Sequence, residues 1–380
     1  MKRKKTLIRS QMTKPAAPCH LSSMKKFVSF FILLLFYFQL IYSQTTIPFR
    51  FRIITWNVGN SEPNCETFRQ LAFSSNVDSI KGDLIVFGFQ ESAKKVFGSY
   101  SLHKTIIQCL QNHQYTMILS DYVGSNVIKP IWLYLFVTNV ILQSERLHLL
   151  TINGETTLKV YQDKILENIF GYKGIIASQI QIDNVTNLVF VNMHLPAGEG
   201  KLTERCQLLS KFFQTYQTNS NNQSYMFILG DQNWRTMDSM SIADILQAIQ
   251  ENDYQNILNN DELTRMRQND HSNGLTQCLR TFYEAPITFP PTYKYVVNTD
   301  IYLTMKDRKD RRPSYTDRIL VSNMSTDLQI LRYSSMNDIK MSDHRPVFAD
   351  FLLQRQTNGN KSMQQTVNIL EVALVEINNS

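Results

Sequence analysis

Glycine and proline are scarce in this chain, at 13 and 11 of 380 residues. That scarcity excludes collagen-like and low-complexity architectures. No stretch repeats itself, so solenoids and propellers are excluded as well. The cysteines (Cys19, Cys65, Cys109, Cys206 and Cys278) show no CxxC spacing. Neither a zinc site nor a dense disulfide framework is expected from them. No apolar run reaches the roughly 20 residues that a full membrane span usually takes. Acidic residues are missing altogether from residues 1–26, which carry the basic side chains Lys2, Arg3, Lys4, Lys5, Arg9, Lys14, Lys25 and Lys26. The formal charge of +7 therefore belongs to this tail, and the rest of the chain is nearly neutral. A neutral body argues against a nucleic-acid partner, which would call for a basic face.

Directly after the basic segment comes an apolar one, FVSFFILLLFYFQLIY, at 27–42. Its length lies between a signal-peptide core and a span. Read from Met24, the order Lys-Lys, apolar run, Ser43 resembles a signal peptide. Read from Met1, the basic extension resembles the flank of a signal anchor. The expectation is membrane association through 27–42, or a secreted or lumenal protein after cleavage.

With 43% hydrophobic residues, the remainder is long enough for a large packed domain. Its expected limits are 49–354, with a polar tail at 355–380. Strand-like apolar runs recur at 51–55, 84–89, 115–119, 131–137, 174–182, 188–194, 225–229, 318–321 and 346–352. Helical periodicity appears at 66–81, 100–111, 202–217, 242–258 and 261–268. Strands and helices interleaved in this way predict an α/β fold, a layered sandwich of two packed mixed sheets flanked by helices.

Polar residues of chemical interest fall at the ends of these runs or beside them. Asn57 ends TWN, Glu91 ends FQE, His194 lies in NMHL, Asp231 and Asn233 in GDQNWR, Asp317 in PSYTDRIL, and Asp343 and His344 in SDHRPV. Singly, each has an ordinary reading as a turn residue, a helix cap or a buried core histidine. Jointly they are more than packing requires, and they suit phosphate-ester hydrolysis. A carboxylate can hold a hard cation such as Mg²⁺. An Asp with an Asn nearby can place and activate water. A histidine held by a second Asp can face phosphoryl oxygens.

Three longer motifs narrow the chemistry: YMFILGDQNWR (225–235), ITFPPTYKYVVNTD (287–300) and RRPSYTDRIL (311–320). With them the chain resembles the inositol polyphosphate 5-phosphatases, within the endonuclease/exonuclease/phosphatase superfamily, over about residues 50–352. The resemblance implies a four-layer, DNase I-like fold and a Mg²⁺-dependent phosphatase acting on the 5-phosphate of phosphoinositide lipids at a membrane surface. Carried over by motif, Glu91 is the principal Mg²⁺ ligand, with Asn57 and Asp343 near the metal. Asp231 acts on the attacking water and Asn233 helps place it. His344, oriented by Asp317, and His194 contact the scissile phosphate. Lys173, Tyr293, Lys294 and Arg312 are candidates for a neighbouring 4-phosphate. The chain departs from the family pattern at Tyr172, Tyr315 and Trp234, and at Ile228-Leu229 before the GD. None of these removes a catalytic group. The alternative within the superfamily is a secreted nuclease or a sphingomyelinase-like phosphodiesterase.

Overall fold

The protein's structure, a computed structural model, describes residues 48–73, 82–92, 101–125, 128–162, 173–216, 223–268, 279–306 and 309–354. The segments 1–26, 27–42 and 355–380 lie outside these residues, as does Tyr172. The expected membrane association is corrected here. Among the described residues no helix is long and apolar enough to cross a membrane, and nothing described supports an anchor at 27–42.

Two sheets make up the body between Pro48 and Arg355. The first contains β1 (Phe49–Asn57), β2 (Leu84–Gln90), β3 (Tyr115–Ser125), β4 (Ile128–Thr138), β14 (Leu328–Ser335) and β15 (Val347–Leu353), in the order β14-β15-β1-β2-β4-β3. The second contains β5 (Leu147–Leu150), β6 (Leu158–Tyr161), β7 (Gly174–Ile182), β8 (Thr186–His194), β9 (Gln223–Asp231), β10 (Phe282–Tyr283) and β13 (Asp317–Ser322). Its order is β10-β13-β9-β8-β7-β5, with β6 also on β7. A small hairpin, β11 (Met305–Lys306) with β12 (Lys309–Asp310), stands apart. Each sheet is mixed: β1 runs parallel to β2 and β8 parallel to β9, while the other pairs are antiparallel.

Side chains alternate faces along a strand, and that period of two sorts the core. Phe51 and Ile53 of β1, Leu84 and Val86 of β2, Phe190 of β8, Phe227 and Leu229 of β9 and Ile319 of β13 share one buried cluster between the sheets. Phe51 stacks on Phe351 at 5.0 Å and meets Phe227 edge-on at 5.4 Å. The alternate residues Ile54, Trp56, Ile85, Phe87 and Phe89 face outward, against α1 (Cys65–Phe73) and α2 (Leu102–Gln111). Val189, Val191, Met193 and Ile228 face outward on the other side, against α4 (Leu202–Thr215) and α7 (Glu262–Gln268). The expected four-layer sandwich is the observed architecture.

The nine expected strands and the first three expected helices all find counterparts. The segment read as a continuous helix over 242–258 is instead α5 (Ile242–Gln250) and α6 (Tyr254–Asn259). Asn252 takes a left-handed φ of 57° between them, and the Asp253 side chain accepts a bond from the Asn256 N–H to start a new helix. Short α3 (Asn139–Gln143) and strands β5, β6 and β14 lay outside the expected runs. Cys65 and Cys109 form a disulfide that joins α1 to α2 across 44 residues, a pairing the spacing alone did not indicate.

Two glycines are required by close approach. Gly88 of β2 faces Asn192 and Leu229 of the other sheet, where a Cβ would sit within 2.7 Å of the Asn192 carboxamide. Gly230 has φ of 134° and a Cβ there would meet the Met193 carbonyl at 2.0 Å. A backbone atom cannot swing aside as a side chain does, so Gly230→Ala is expected to lower stability by at least about 4 kcal/mol or to prevent folding. Urea unfolding of the variant measures this; a loss under about 1 kcal/mol would show that the two strands can separate at that point.

Candidate active site

The strand registers bring one end of each sheet to a common rim. Parallel pairing sets His194 level with Asp231 and Asn57 level with Gln90. Antiparallel pairing sets Asp317 opposite Asp231 and Gly174 opposite His194. Asn57, Gln90, Asn192, His194, Asp231 and Asp317 continue the inward parity of the apolar core residues, so all of them face the space between the sheets where that core ends. All are buried. The Gln90 carboxamide donates to Asn192 Oδ1 at 2.7 Å, and Asn192 donates to the Trp132 carbonyl at 2.7 Å, which ties the two sheets together beneath the site.

Asp231 is the hub. Asn57 Nδ2 donates to its Oδ2 at 3.0 Å, His194 Nε2 stands 3.2 Å from the same oxygen, and the Asn233 N–H donates to Oδ1 at 3.1 Å. Burial disfavours its charge, but His344, His194 and Lys173 outweigh burial and hold its pKa well below the carboxylate range. Asn233 adopts φ of 58°, which turns its side chain towards the Leu195 carbonyl at 3.0 Å and lets Arg235 donate to its Oδ1. The Arg235 guanidinium lies 4.7 Å from the Tyr293 ring centre, and the Tyr293 ring is 4.4 Å from that of His344.

His344 precedes β15 and is bound to the end of β1. Ser342 Oγ donates to the Asn57 carbonyl at 2.7 Å, and Trp56 Nε1 donates to the His344 carbonyl at 3.2 Å. Its Nδ1 lies 2.9 Å from Asp317 Oδ2 and its Nε2 lies 3.9 Å from Asp231 Oδ2. Thr292 and Thr316 donate to that same Asp317 oxygen, at 2.7 and 2.8 Å. Burial acts against a charged imidazole, yet Asp317 and Asp231 prevail and push the His344 pKa up to about 10. His194 moves the other way: burial and Lys173 hold it below the ordinary histidine value. The site thus contains one imidazolium and one neutral imidazole at neutral pH.

The remaining expected residues surround this centre. Glu91 has φ of 56° and its carboxylate meets Lys129 Nζ, while its Oε1 is 3.9 Å from His194 Nε2. Burial raises its pKa, but His194, Lys129 and Lys173 together bring it below the usual value. Lys173 Nζ contacts His194 Nε2, and burial lowers its pKa to about 8. Lys294 pairs with Asp343. Arg312 pairs with Glu199 at 3.0 Å, at the side of a cavity of about 360 Å³ that Arg235 and Glu199 both line. Lys129 and Arg235 were not among the expected site residues. Arg235 lay within the GDQNWR motif, whereas Lys129 has no motif around it.

The donor set suits a hard divalent cation. Glu91, Asp231 and the Asn57 amide supply oxygen, the ligand type that Mg²⁺ and Ca²⁺ take, and no thiolate lies among them. Asp231, Asp317 and His344 also hold donor atoms within 4.8 Å of one another. In this second group the His344 ring lies between the two carboxylates, with Nδ1 2.9 Å from Asp317 and Nε2 3.9 Å from Asp231.

The matched profile of the endonuclease/exonuclease/phosphatase family 2 covers residues 54–350, and the chain belongs to that family. Its curated relatives include phosphoinositide and inositol polyphosphate 5-phosphatases. It is 26% identical over 338 residues to the human phosphatidylinositol 4,5-bisphosphate 5-phosphatase A, covering 80% of this chain and 31% of that protein. It is 27% identical to the Arabidopsis thaliana type IV inositol polyphosphate 5-phosphatase 11, covering 80% of this chain and 82% of that protein. The Caenorhabditis elegans synaptojanin is 31% identical over 53% of this chain and 18% of its own length. The chain thus spans under a third of the synaptojanin and of the human relative. Among solved structures it is similar to the inositol polyphosphate 5-phosphatase domain of SPsynaptojanin in complex with inositol (1,4)-bisphosphate and calcium ion, with TM-score 0.60 and 22% identity, covering 88% of this chain and 93% of that one. It is equally similar in fold to a Cimex nitrophorin in a ferrous NO complex, with TM-score 0.62 and 20% identity, covering 82% and 100%.

Asp317 is the largest influence holding His344 in its charged form. Asp317→Asn is therefore expected to move the His344 pKa down from about 10 towards the ordinary value near ~6.5. The raised native pKa also sets the direction of the stability effect. The contribution of the charged imidazole is complete below about pH 6.5 and is lost as pH rises through about 10. A pH titration of the imidazole ¹⁵N shifts measures the pKa, and an unchanged value in the variant would show that Asp317 is not the controlling charge.

Proposed function

We propose that this protein is a divalent-cation-dependent phosphatase that removes the 5-phosphate of phosphoinositides or soluble inositol polyphosphates, with Mg²⁺ as the working ion. The observation that carries the reading is the junction of Asp231 with Asn57, His194 and, through His344, Asp317, at the rim where both sheets end. The names of the relatives supply the substrate class. Glu91, Asn57 and Asp231 would hold the cation, whose chemistry there is to draw negative charge from phosphoryl oxygen.

The rest of the reaction belongs to side chains. Asp231, whose ionised form His344, His194 and Lys173 favour, accepts a hydrogen bond from water and orients it for attack. Asn233, pinned by Arg235 and the Leu195 carbonyl, fixes the water from the side. His344 presents an imidazolium to the phosphoryl oxygens, and its charge costs no reorganisation as negative charge builds up. Neutral His194 donates or accepts at the same phosphate. Lys173 and Lys294 face the ring's other phosphates as charge-assisted donors, with Tyr293 behind them. Arg312 reaches a phosphate on the side of Glu199.

Phosphate release by residues 45–380 with Mg²⁺, from a 4,5-bisphosphorylated lipid and from soluble inositol phosphates, tests the reading against DNA and sphingomyelin as controls. Release from the 5-phosphorylated compounds alone is expected. Asp231→Asn and His344→Gln are each expected to lower kcat by about 10²–10⁴-fold with the fold intact by circular dichroism. Cleavage of DNA or sphingomyelin in place of the inositol compounds would overturn the substrate class.

A further inference from the structure

Lys129 has a place in the site that the proposed reaction leaves unused. It stands at the start of β4, and the antiparallel register of β2 with β4, which pairs Phe89 with Trp132, carries Pro130 past the last paired residue to the level of Glu91, with Lys129 one residue further on. Both residues hold left-handed backbone, with φ of 42° at Lys129 and 56° at Glu91. For long side chains that conformation is uncommon and is retained where the surroundings impose it. Pro130 comes next in the chain and further restricts Lys129. The result is an ion pair whose Nζ lies on Glu91 Oε2, with side-chain exposures of 32% and 22%. A pair so placed is open to solvent and to ligands, unlike the buried acids beside it.

An ammonium and a divalent cation cannot share one carboxylate face without repulsion. A cation that takes Glu91 must therefore turn Lys129 out. The four-carbon stem keeps the freed charge at the mouth of the same cleft, where a polyphosphorylated substrate enters. We propose that Lys129 is a built-in counter-ion of Glu91: it holds the carboxylate in place while no cation is bound, exchanges with the cation, and then serves as a positioning residue for the phosphates of the substrate. The proposal rests on Glu91 being a cation ligand, as the proposed function has it.

Cation binding without substrate separates the two ideas. Mn²⁺ affinity is measured on the full chain by the loss of the free-ion electron paramagnetic resonance signal, and Mg²⁺ affinity by competition. Lys129→Met keeps the stem and removes the charge. It is expected to tighten Mn²⁺ binding about twofold to fivefold, the scale of a partly exposed ion pair. It is also expected to raise KM for an inositol polyphosphate more than it lowers kcat. Lys129→Arg is expected to return both KM and Mn²⁺ affinity towards the original values, and Lys129→Gln guards against an effect of the methionine itself. Unchanged Mn²⁺ affinity in Lys129→Met and Lys129→Gln, with weakened binding in Glu91→Gln, would overturn the exchange while leaving Glu91 a ligand. Unchanged binding in Glu91→Gln would overturn the exchange together with the placement of the cation at Glu91.

Discussion

The antiparallel register between β9 and β13 is the constraint on which the site depends, because it sets Asp317 directly opposite Asp231. Two carboxylates facing one another across a ladder repel, and burial makes the repulsion larger. The arrangement stands because His344 is inserted between them, with Nδ1 2.9 Å from Asp317 and Nε2 facing Asp231 at 3.9 Å. Its raised pKa reports that stabilisation from the proton's side. Moving either strand by one residue would turn the aspartates to the helix-covered face and leave the imidazole without partners. On the other side of β9, Gly230 fits it against β8, since the Met193 backbone occupies the space where a side chain would be. Ser342 and Trp56 tie the His344 loop to the end of β1 and so fix where the imidazole enters.

Alternation does the rest, and it explains how much of the site was legible in the sequence. Each run that reads as apolar at every second position ends in a polar residue of the same parity: Phe51, Ile53, then Asn57; Phe190, then His194; Phe227, Leu229, then Asp231. A polar residue at an inward parity position at the end of a buried strand has nowhere to point except the gap between the sheets. The motif around each residue therefore carried its placement. Lys129 and the Cys65–Cys109 bridge were not legible for a different reason. Each depends on two segments brought together only by tertiary packing, 38 residues apart for the ion pair and 44 for the bridge, with no local pattern to mark the partner. The break in 242–258 belongs to a third kind: its apolar periodicity persists across Asn252, so the periodicity gave no warning of a turn that local capping imposes.

Likeness of fold is a separate matter from likeness of chemistry. A similar backbone appears in a 5-phosphatase domain with calcium and in a nitrophorin binding NO, at comparable TM-scores. The sandwich supplies a rim, and the side chains on the rim decide its use. Here those side chains are carboxylates, amides and imidazoles, and the two imidazoles are shifted in opposite directions.

The lysines complete the electrostatic argument. Glu91 contacts Lys129, Asp343 contacts Lys294, and Lys173 sits against His194 within the field of Asp231 and Glu91. Glu91 and Asp343 are thus each paired with a lysine, while Asp231 and Asp317 are met by His344. Under the proposed function, a bound cation and a polyanionic substrate would replace these pairings. The lysines released from the acids would face phosphate, and the acids would face metal and water. A site arranged in this way needs no large movement of its strands to pass from one state to the other, since the exchange lies in the ends of long side chains while the buried core beneath, from Phe51 to Phe351, is unchanged.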